Sequence, residues 1–413
     1  MPFDVQIRPV DPDDDAALDA YLAQQEIAFT SDEPHTPARR DAYREMLRVH
    51  RLTGAYDGDR IVATYRSWDW TLTLPGGAAT VRAISSVTVA PTHRRRGLLT
   101  ALMTGDLAEA HAGGTAAAVL IASEATIYGR FGFGPATETA TWHLDVGTAR
   151  LRPDVPRSGD LEMVPLPALR EIAPQVFAAA RLPGATDRSP DRWDLLCHVR
   201  TIPGRPEKPA AAVVHRDEDG VPQGYVIYTW VDRWEGRVCR TVATVQDFQA
   251  ATPAAYAALW GLLCELDLIE TVRGADRPVD EPLPWLLVDP RAARRVESGD
   301  MLWTRLLDPV AALAARRYEA SGDVVLAVTD PLGHATGTLS VQVDGTGKAV
   351  VQPTTERPHL TLPVDVLSSI WLGGGDLPAA ALAGRVQPHR DGAVEEVARL
   401  FRTLRAPWTG TSF

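Results

Sequence analysis

The chain contains 413 residues, of which 45% are hydrophobic and 23% are charged, and it carries a formal net charge of -11 at pH 7. This length exceeds what a single hydrophobic core supports, and the composition is that of a soluble globular protein, so we expect two or three domains. The acidic balance argues against nucleic acid and anionic membranes as partners and favours small cationic molecules.

The first 150 residues show helical and strand patterns in alternation. No apolar run reaches the roughly 20 residues that span a bilayer, and the N-terminus has an acidic cluster where a secretory signal would be basic and apolar. Three widely spaced cysteines have neither disulfide nor zinc spacing, so we expect free thiols in a cytoplasmic protein without a metal. The predicted elements are helices at 12–24 and 37–49, a hairpin at 61–84 with its turn at 75–77, and a strand at 116–122 followed by a helical turn to Tyr128.

Three arginines and a glycine lie between a buried strand and a helix. The apolar run from Ile84 to Val89 predicts the strand, which Pro91 ends because proline cannot donate to a sheet ladder. Residues 94–97 (Arg-Arg-Arg-Gly) precede leucines at helical spacing, and a helix N-terminus binds anions through unpaired N–H groups and a partial positive charge. The loop therefore predicts a pyrophosphate site. The alternative is an ordinary solvated basic loop, and a nucleic-acid surface would need a second basic cluster.

The second region, residues 151–305, repeats this strand, loop and helix order after a proline-rich linker at residues 151–167. The loop D-F-Q-A-A-T-P before its helix contains no arginine and no glycine. By the argument used for the first loop, this copy should not bind a pyrophosphate, and we expect a degenerate repeat that serves as scaffold. Its predicted strands lie at 211–215, 225–230 and 238–245, and its helix follows Pro253.

The last region, residues 306–413, changes pattern again. Its turn at residues 344–348 (Asp-Gly-Thr-Gly-Lys) lacks the spacing of a phosphate-binding P-loop and predicts a hairpin turn. The predicted elements are helices at 309–318, 364–372 and 392–404 and strands at 324–330, 338–343 and 348–353.

Two strings in the first region carry a family resemblance. The string V-T-V-A-P-T-H-R-R-R-G-L-L resembles the acetyl-coenzyme A loop of GNAT-type N-acetyltransferases, and together with A-S-E-A-T-I-Y-G-R-F-G-F-G-P-A-T it is similar to the Eis (enhanced intracellular survival) branch. The general motif has Gly or Ala where this chain has Leu99, and the Eis branch accepts leucine there. The resemblance implies an α/β (α+β) fold with a GNAT domain at 1–150, a degenerate GNAT-like domain at 151–305 and a sterol carrier protein-like domain at 306–413. It also implies acetyl-CoA as cosubstrate and a homohexamer.

The resemblance assigns cofactor contacts to three segments. The residues at the end of the first strand, Val87 to Val89, match positions whose backbone pairs with the pantetheine arm in GNAT folds. The alternative for them is plain core packing. Ser123 and Glu124, after the second strand, match family positions that contact coenzyme A. Without the resemblance they would be interpreted as a helix cap and a first-turn acid. The implied acetyl-CoA residues are Val87, Thr88, Val89, Arg94, Arg95, Arg96, Gly97, Leu98, Leu99, Thr100, Ser123 and Glu124.

The resemblance also assigns two catalytic groups. Tyr128 matches the general acid of the family, because a phenol can protonate a departing thiolate; the alternative is a core tyrosine. The family base is the α-carboxylate of a terminal Phe, which Phe413 matches, whereas the usual expectation for a terminus is disorder. His93 lies in the basic loop, where we expect a structural or solvent-facing role.

The acceptor is the least defined part of the prediction. Eis pockets carry acids that attract aminoglycosides; here Ser412 occupies one acidic position, and Ser31 or Asp32 occupies the other beside Phe29. Ser86 completes the implied substrate contacts. We expect direct acetyl transfer, in a ternary complex, to a primary amine of a small cationic, aminoglycoside-like molecule. The alternatives are a protein lysine acetyltransferase and a non-catalytic module that binds coenzyme A or lipid.

Overall fold

The structure is a computed structural model that describes residues 5–30, 36–204 and 208–413. The first part of the chain alternates strands with three helices. Asp14 caps the first helix, accepting hydrogen bonds from the N–H groups of Ala16 and Ala17. The elements are β1 (Val5–Pro9), α1 (Asp15–Phe29), α2 (Pro37–Arg48), β2 (Arg51–Asp57), β3 (Arg60–Leu74), β4 (Gly77–Val89), α3 (Leu98–Ala112), β5 (Ala117–Ile121), β6 (Gly134–Pro135) and β7 (Glu138–Asp145).

The middle of the chain repeats this order of elements. They are β8 (Asp160–Val164), α4 (Leu166–Leu169), α5 (Ala173–Ala180), α6 (Pro190–Leu196), β9 (Ala210–Arg216), β10 (Pro222–Val231), β11 (Trp234–Glu235), β12 (Val238–Cys239), β13 (Val242–Ala250), α7 (Pro253–Cys264), β14 (Thr271–Arg277), α8 (Leu283–Leu286), β15 (Ala293–Asp300) and β16 (Leu302–Leu306).

The last part of the chain folds around a sheet of its own, with order β19-β18-β17-β20-β21. Its elements are α9 (Pro309–Ala315), β17 (Gly322–Thr329), β18 (Gly337–Val343), β19 (Ala349–Pro353), β20 (Leu360–Pro363), α10 (Val364–Ile370), α11 (Leu377–Leu382), β21 (Gln387–Pro388) and α12 (Ala393–Phe401).

The first two sheets follow one plan and exchange a strand. Their orders are β1-β2-β3-β4-β5-β16-β6 and β15-β7-β14-β13-β10-β9-β8. Each has one parallel pair, β4 with β5 in the first and β13 with β14 in the second, and the other pairings are antiparallel. Strand β16 lies beside β5 and strand β7 lies beside β14, so each sheet receives this strand from the chain region that builds the other.

The structure confirms the predicted α/β class and corrects several elements. The run 238–245 is two pieces, a short hairpin strand β12 and the start of β13. Residues 247–250 of the predicted D-F-Q-A-A-T-P loop belong to β13, because their backbone pairs with β10. The predicted linker 151–167 contains β8, which pairs with β9 at the edge of the second sheet. The predicted domain limits stay a prediction, and the strand exchange means that neither sheet comes from one continuous range.

The first sheet and the C-terminal domain share one hydrophobic core. Leu72 and Leu306 from the first sheet pack in the same cluster as Leu326, Leu360 and Trp371, all of them fully buried. A buried ion pair joins β16 to the third domain, with Arg305 Nη2 at 2.7 Å from the Asp330 carboxylate. In the described ranges, no helix is long and apolar enough to cross a membrane.

Candidate active site

Strand β4 bulges and then separates from β5, which opens the middle of the first sheet. Across from β3, Thr64 faces Thr88 and Arg66 faces Ser85, so an extra residue lies in β4 between them. Ser86 has the left-handed φ of 54° at this point. The pairing of β4 with β5 ends at Ile84 and Leu120. Beyond that pair, the backbone of residues 85–89 is open to a ligand on this side, within the part of the chain described.

The basic loop occupies residues 90–97 at the mouth of this opening. All three arginines are exposed. Gly97 is the N-cap of α3 with a φ of 81°, a conformation that favours glycine, and a Cβ placed there would meet no atom within 4 Å. The space in front of the α3 N-terminus is therefore open, with cationic side chains around it, as a pyrophosphate requires.

A cleft of about 690 Å³ joins the open strand edge to the basic loop. Its lining extends from the basic loop to the bulge at Ser86. The predicted residues that line it are Val87, Thr88, Val89, Arg94, Arg95, Gly97, Leu98, Leu99, Thr100, Ser123, Glu124 and Tyr128, together with Phe29, Ser86 and Phe413. Among the predicted cofactor residues, only Arg96 is outside this lining.

Tyr128 is part of the lining of the cleft. Its side chain is buried, and its ring packs edge-on against Phe133 with the centroids 6.2 Å apart. Burial, with a smaller contribution from the Glu124 carboxylate, raises the pKa of the phenol above its ordinary value of 10. The hydroxyl therefore keeps its proton at neutral pH, which is the form that a general acid needs.

A second cavity, of about 790 Å³, opens from the same place into the space between the first two domains. Its floor is β3, where Arg66, Trp68 and Trp70 share one face because alternate residues of a strand point the same way. Helices α1, α2 and α6 supply the walls, mostly with apolar side chains. The two cavities adjoin at the three residues that line both, Phe29, Ser86 and Phe413.

Phe413 is held at the junction by aromatic packing. Its ring makes edge-on contacts with Trp68 and Trp70, with centroid distances of 5.5 and 4.8 Å. Such contacts are favourable for aromatic rings and fix the orientation of the last residue. The last residue therefore lies beside both cavities.

The residues before Phe413 are fixed by the second domain. Arg188 donates from Nε to the Thr411 hydroxyl at 2.9 Å and from Nη2 to the Gly410 carbonyl at 3.2 Å. The same guanidinium pairs with the buried Asp247 carboxylate of β13 at 2.6 Å. Arg188 therefore connects the terminal segment, residues 408–413, to the central strand of the second sheet.

The terminal segment lies where the second sheet opens. The pairing of β13 with β14 ends at Val245 and Gly274, and beyond it a gap of about 290 Å³ has Trp408, Gly410 and Ser412 among its lining. The Trp408 indole donates to the Asp276 carbonyl at 2.8 Å. The opening of the second sheet, which corresponds to the first cleft, is thus in contact with the terminal segment of the chain.

The remaining predicted positions are His93, Ser31 and Asp32. His93 is buried, with Asp57 and Thr92 within hydrogen-bond distance of its ring at 3.1 and 2.8 Å, as expected for a structural residue. Ser31 and Asp32 lie outside the described residues. Among the described residues, no group of three or more His, Cys, Asp or Glu side chains could hold a metal ion.

Sequence reasoning did not identify the floor of the second cavity or Arg188. The segment T-Y-R-S-W-D-W on β3 contains the signal for the floor, because alternation places positions 66, 68 and 70 on one face. Arg188 gives no such signal, since its partners lie 59 and more than 220 residues away in the chain.

Comparison with known proteins agrees with this architecture. The family model described as an acetyltransferase (GNAT) domain matches residues 6–136, a second acetyltransferase (GNAT) domain model matches residues 184–306, and a sterol carrier protein domain model matches residues 309–410. The fold and the site therefore define a GNAT-type N-acetyltransferase with a C-terminal sterol carrier protein-like domain.

Relatives along the whole chain identify the family. An uncharacterized N-acetyltransferase of Streptomyces avermitilis is 39% identical over 420 residues, covering 100% of this chain and 99% of that protein. N-acetyltransferase Eis of Mycobacterium tuberculosis is 35% identical over 349 residues, or 81% of each chain. The crystal structure of Eis1 from Mycobacterium abscessus superposes with a TM-score of 0.86 at 32% identity, covering 99% of this chain and 100% of that one. The chain belongs to the Eis family of N-acetyltransferases, whose GNAT fold implies the use of acetyl-CoA.

Proposed function

We propose that the chain transfers an acetyl group from acetyl-CoA directly to the primary amine of a small molecule bound in the second cavity. The observation that carries the proposal is the junction of the two cavities at Phe29, Ser86 and Phe413. Two substrates held on either side of this junction can react in one ternary complex, because their reactive groups meet there without a covalent enzyme intermediate.

The first cleft is the proposed site of acetyl-CoA. The arginines and the α3 N-terminus face the position of the pyrophosphate, and Gly97 leaves room for close approach of its oxygens. The open edge at residues 85–89 offers backbone groups to the pantetheine amides and an N–H donor for the negative charge that develops on the thioester oxygen. Acetyl-CoA supplies the activated acetyl group, and the chain's own groups hold it in place.

Tyr128 and Phe413 are the proposed proton carriers. As the amine nitrogen bonds to the carbonyl carbon, it loses its proton to the α-carboxylate of Phe413. As the carbon–sulfur bond breaks, the Tyr128 hydroxyl gives its proton to the departing thiolate. Arg188 positions the base, since it holds Thr411 and Gly410 directly before it.

The second cavity favours a small acceptor over a protein. It is bounded by α1, α2, α6 and the terminal segment, and its floor is aromatic. An aminoglycoside-like acceptor is the finer proposal that the family suggests. Among the described residues, four arginines and four carboxylates line this cavity (Arg39, Arg66, Arg188 and Arg192 against Glu26, Asp187, Asp191 and the α-carboxylate of Phe413), so the lining has no excess of negative charge to attract a molecule with several positive charges.

A screen of amines for release of the coenzyme A thiol tests the proposed function. We expect turnover on at least one class of small primary amine and none on a lysine-containing peptide. Turnover of the peptide alone would replace the proposal by a protein lysine acetyltransferase. Binding of acetyl-CoA without release of thiol to any amine would favour a module that only binds its ligands.

Assembly, location and domain limits complete the proposal. We propose a homohexamer in the cytoplasm, as the family implies, with domains at 1–150, 151–305 and 306–413. Light scattering of the purified protein tests the assembly, and a mass other than six chains would contradict it. Cell fractionation tests the location.

A further inference from the structure

Arg66 is a cation in the acceptor cavity, and none of the ion pairs that the structure describes involves it. Its guanidinium lies 5.0 Å from the ring centroid of Trp68, and its Nε atom is buried with no hydrogen-bond partner. No carboxylate of the described residues, the terminal group of Phe413 included, lies within ion-pair distance of this guanidinium. By contrast, the lining residues Asp187, Arg188 and Asp191 all have ion-pair partners.

An unpaired guanidinium in such surroundings is unfavourable in the free protein. Removing a cation from water without an opposite charge costs free energy, and aromatic contact offsets only part of that cost. Burial accordingly lowers the pKa of Arg66 from its ordinary value. An anion bound in the cavity would supply the missing charge and accept hydrogen bonds.

The described side chains next to Arg66 do not supply that anion. The ring of His50 lies 4.4 Å from the ring of Trp68, centroid to centroid, and its Nδ1 atom is also buried without a partner. Burial, followed by the charge of Arg66, lowers the pKa of His50 to about 3, so its imidazole is neutral at physiological pH. The Tyr21 hydroxyl donates to the Tyr65 carbonyl at 3.0 Å. The cavity therefore offers two unsatisfied polar groups close together, one of them charged.

The position of Arg66 on β3 sets how far the anion is from the reacting amine. Arg66 lies opposite Ser85 in the sheet, next to the bulge at Ser86 where the two cavities meet. Trp68 and Trp70 continue along the same face and, with Tyr43 and Met46 from α2, give the deeper cavity an apolar lining. A planar carboxylate fits the fork of an arginine and can be met by two parallel hydrogen bonds.

We propose that Arg66 recognises a carboxylate on the acceptor, so that the substrate is an amino acid-like molecule with its primary amine and carboxylate a few bonds apart and an apolar side chain. This inference rests on the proposed N-acetyltransferase function and names the class of amine that the site takes.

Three acceptors with one skeleton test the inference. L-phenylalanine carries the carboxylate, L-phenylalaninamide replaces it by a neutral amide, and phenethylamine lacks it. We expect kcat/KM for L-phenylalanine to fall about 10- to 100-fold in Arg66→Met, with changes within about threefold for the other two acceptors. Arg60→Met, at the exposed start of the same strand, serves as the matched control and should change none of the three. Equal losses on all three acceptors, or no loss on L-phenylalanine, would overturn the inference.

A binding measurement separates this inference from the proposed function. 3-Phenylpropionate has the carboxylate and no amine, so it cannot be acetylated, and its binding beside Trp68 and Trp70 should change their fluorescence. We expect binding to the wild-type protein and at least about tenfold weaker binding to Arg66→Met, whose thermal unfolding should be unchanged or shifted upward. If no amine releases thiol but 3-phenylpropionate still binds through Arg66, the transfer proposal fails and the carboxylate site stands. If 3-phenylpropionate binds both proteins equally, the carboxylate site is wrong whatever the turnover.

Discussion

The strand, loop and helix units of the two GNAT-type domains share a plan and differ in what lies beyond the strand. In the first, β4 ends at Val89 and α3 begins at Leu98, leaving residues 90–97 as a cationic loop. In the second, β13 continues to Ala250 and α7 begins at Pro253, so only residues 251 and 252 connect them. The helix N-terminus of the second unit is capped by its own Thr252 hydroxyl, which accepts from the Ala255 N–H.

In the proposed function one repeat has a ligand site and the other lacks it, although both have the same fold. Both sheets open after their parallel pair, since that opening follows from the strand arrangement. The two units differ in the connection, which in the second unit is only two residues long and has no glycine and no cation to hold a pyrophosphate. The second opening instead contacts the terminal segment that leads to Phe413, so the two units have complementary parts in one site.

Deleting Phe413 should have the largest effect, because it breaks the link between the two units. The new terminal carboxylate on Ser412 would be displaced by roughly 3.5 Å along the chain, and a misplacement of even about 1 Å can cost on the order of 10²-fold in rate. We expect turnover to be abolished while the acetyl-CoA affinity and the melting temperature stay near their wild-type values. A C-terminal tag should act in the same way. Full activity of a tagged protein, shown untrimmed by mass spectrometry, would refute the role of this carboxylate.

Replacing the Tyr128 hydroxyl in the first cleft should have the next largest effect. Tyr128→Phe keeps the buried ring and removes the proton donor, so kcat should fall by roughly 10²–10⁴ with little change in acetyl-CoA affinity. Because burial raises the pKa of Tyr128, the activity that depends on its proton should persist to a higher pH than an ordinary tyrosine would allow. A loss of acetyl-CoA binding with an unchanged kcat would make Tyr128 a packing residue.

Changes in the basic loop should weaken cofactor binding without affecting the second unit. Arg95→Ala should remove the proposed charge-assisted hydrogen bond to the pyrophosphate, and the expected loss is about 1.5–3 kcal/mol, or roughly 10- to 150-fold in affinity. Gly97→Val blocks close approach and strains a backbone with a φ of 81°. Calorimetric titration with acetyl-CoA measures both. The assignment of the loop fails if both variants bind as tightly as the wild type.

The matching change in the second unit should have the smallest effect. Thr252→Ala removes the N-cap of α7 and should lower the free energy of unfolding by about 1 kcal/mol. Acetyl-CoA affinity should not change, since this helix N-terminus has no proposed part in cofactor binding. Urea denaturation and calorimetry give the two values. A weaker affinity for acetyl-CoA would show that the second unit takes part in binding the cofactor.

The sequence predicts the first unit well because its signals are local. The strand, the proline that ends it, the arginines, Gly97 and the helix are consecutive, and the structure brings them together as expected. Strands β1 and β8 were not predicted, since most of their residues are exposed and lack the alternation of a half-buried strand. The acceptor cavity is built from β3, three helices and the terminal segment, and such long-range assembly leaves no local pattern for residues such as Arg66 and Arg188.

The strand exchange has a consequence for how the protein is made. A ribosome releases β5 long before β16, its neighbour in the first sheet, because residues 122–301 must be synthesised between them. Until then β5 has an open edge, and β7 waits for β14 in the same way. Open edges pair readily with other chains, so neither repeat can finish folding until both have been translated. If the gene were cut between the repeats, each fragment would contain one strand without its partner sheet, β7 in the first and β16 in the second, and one sheet with an uncovered edge. Insertions between β15 and β16 would disturb both sheets.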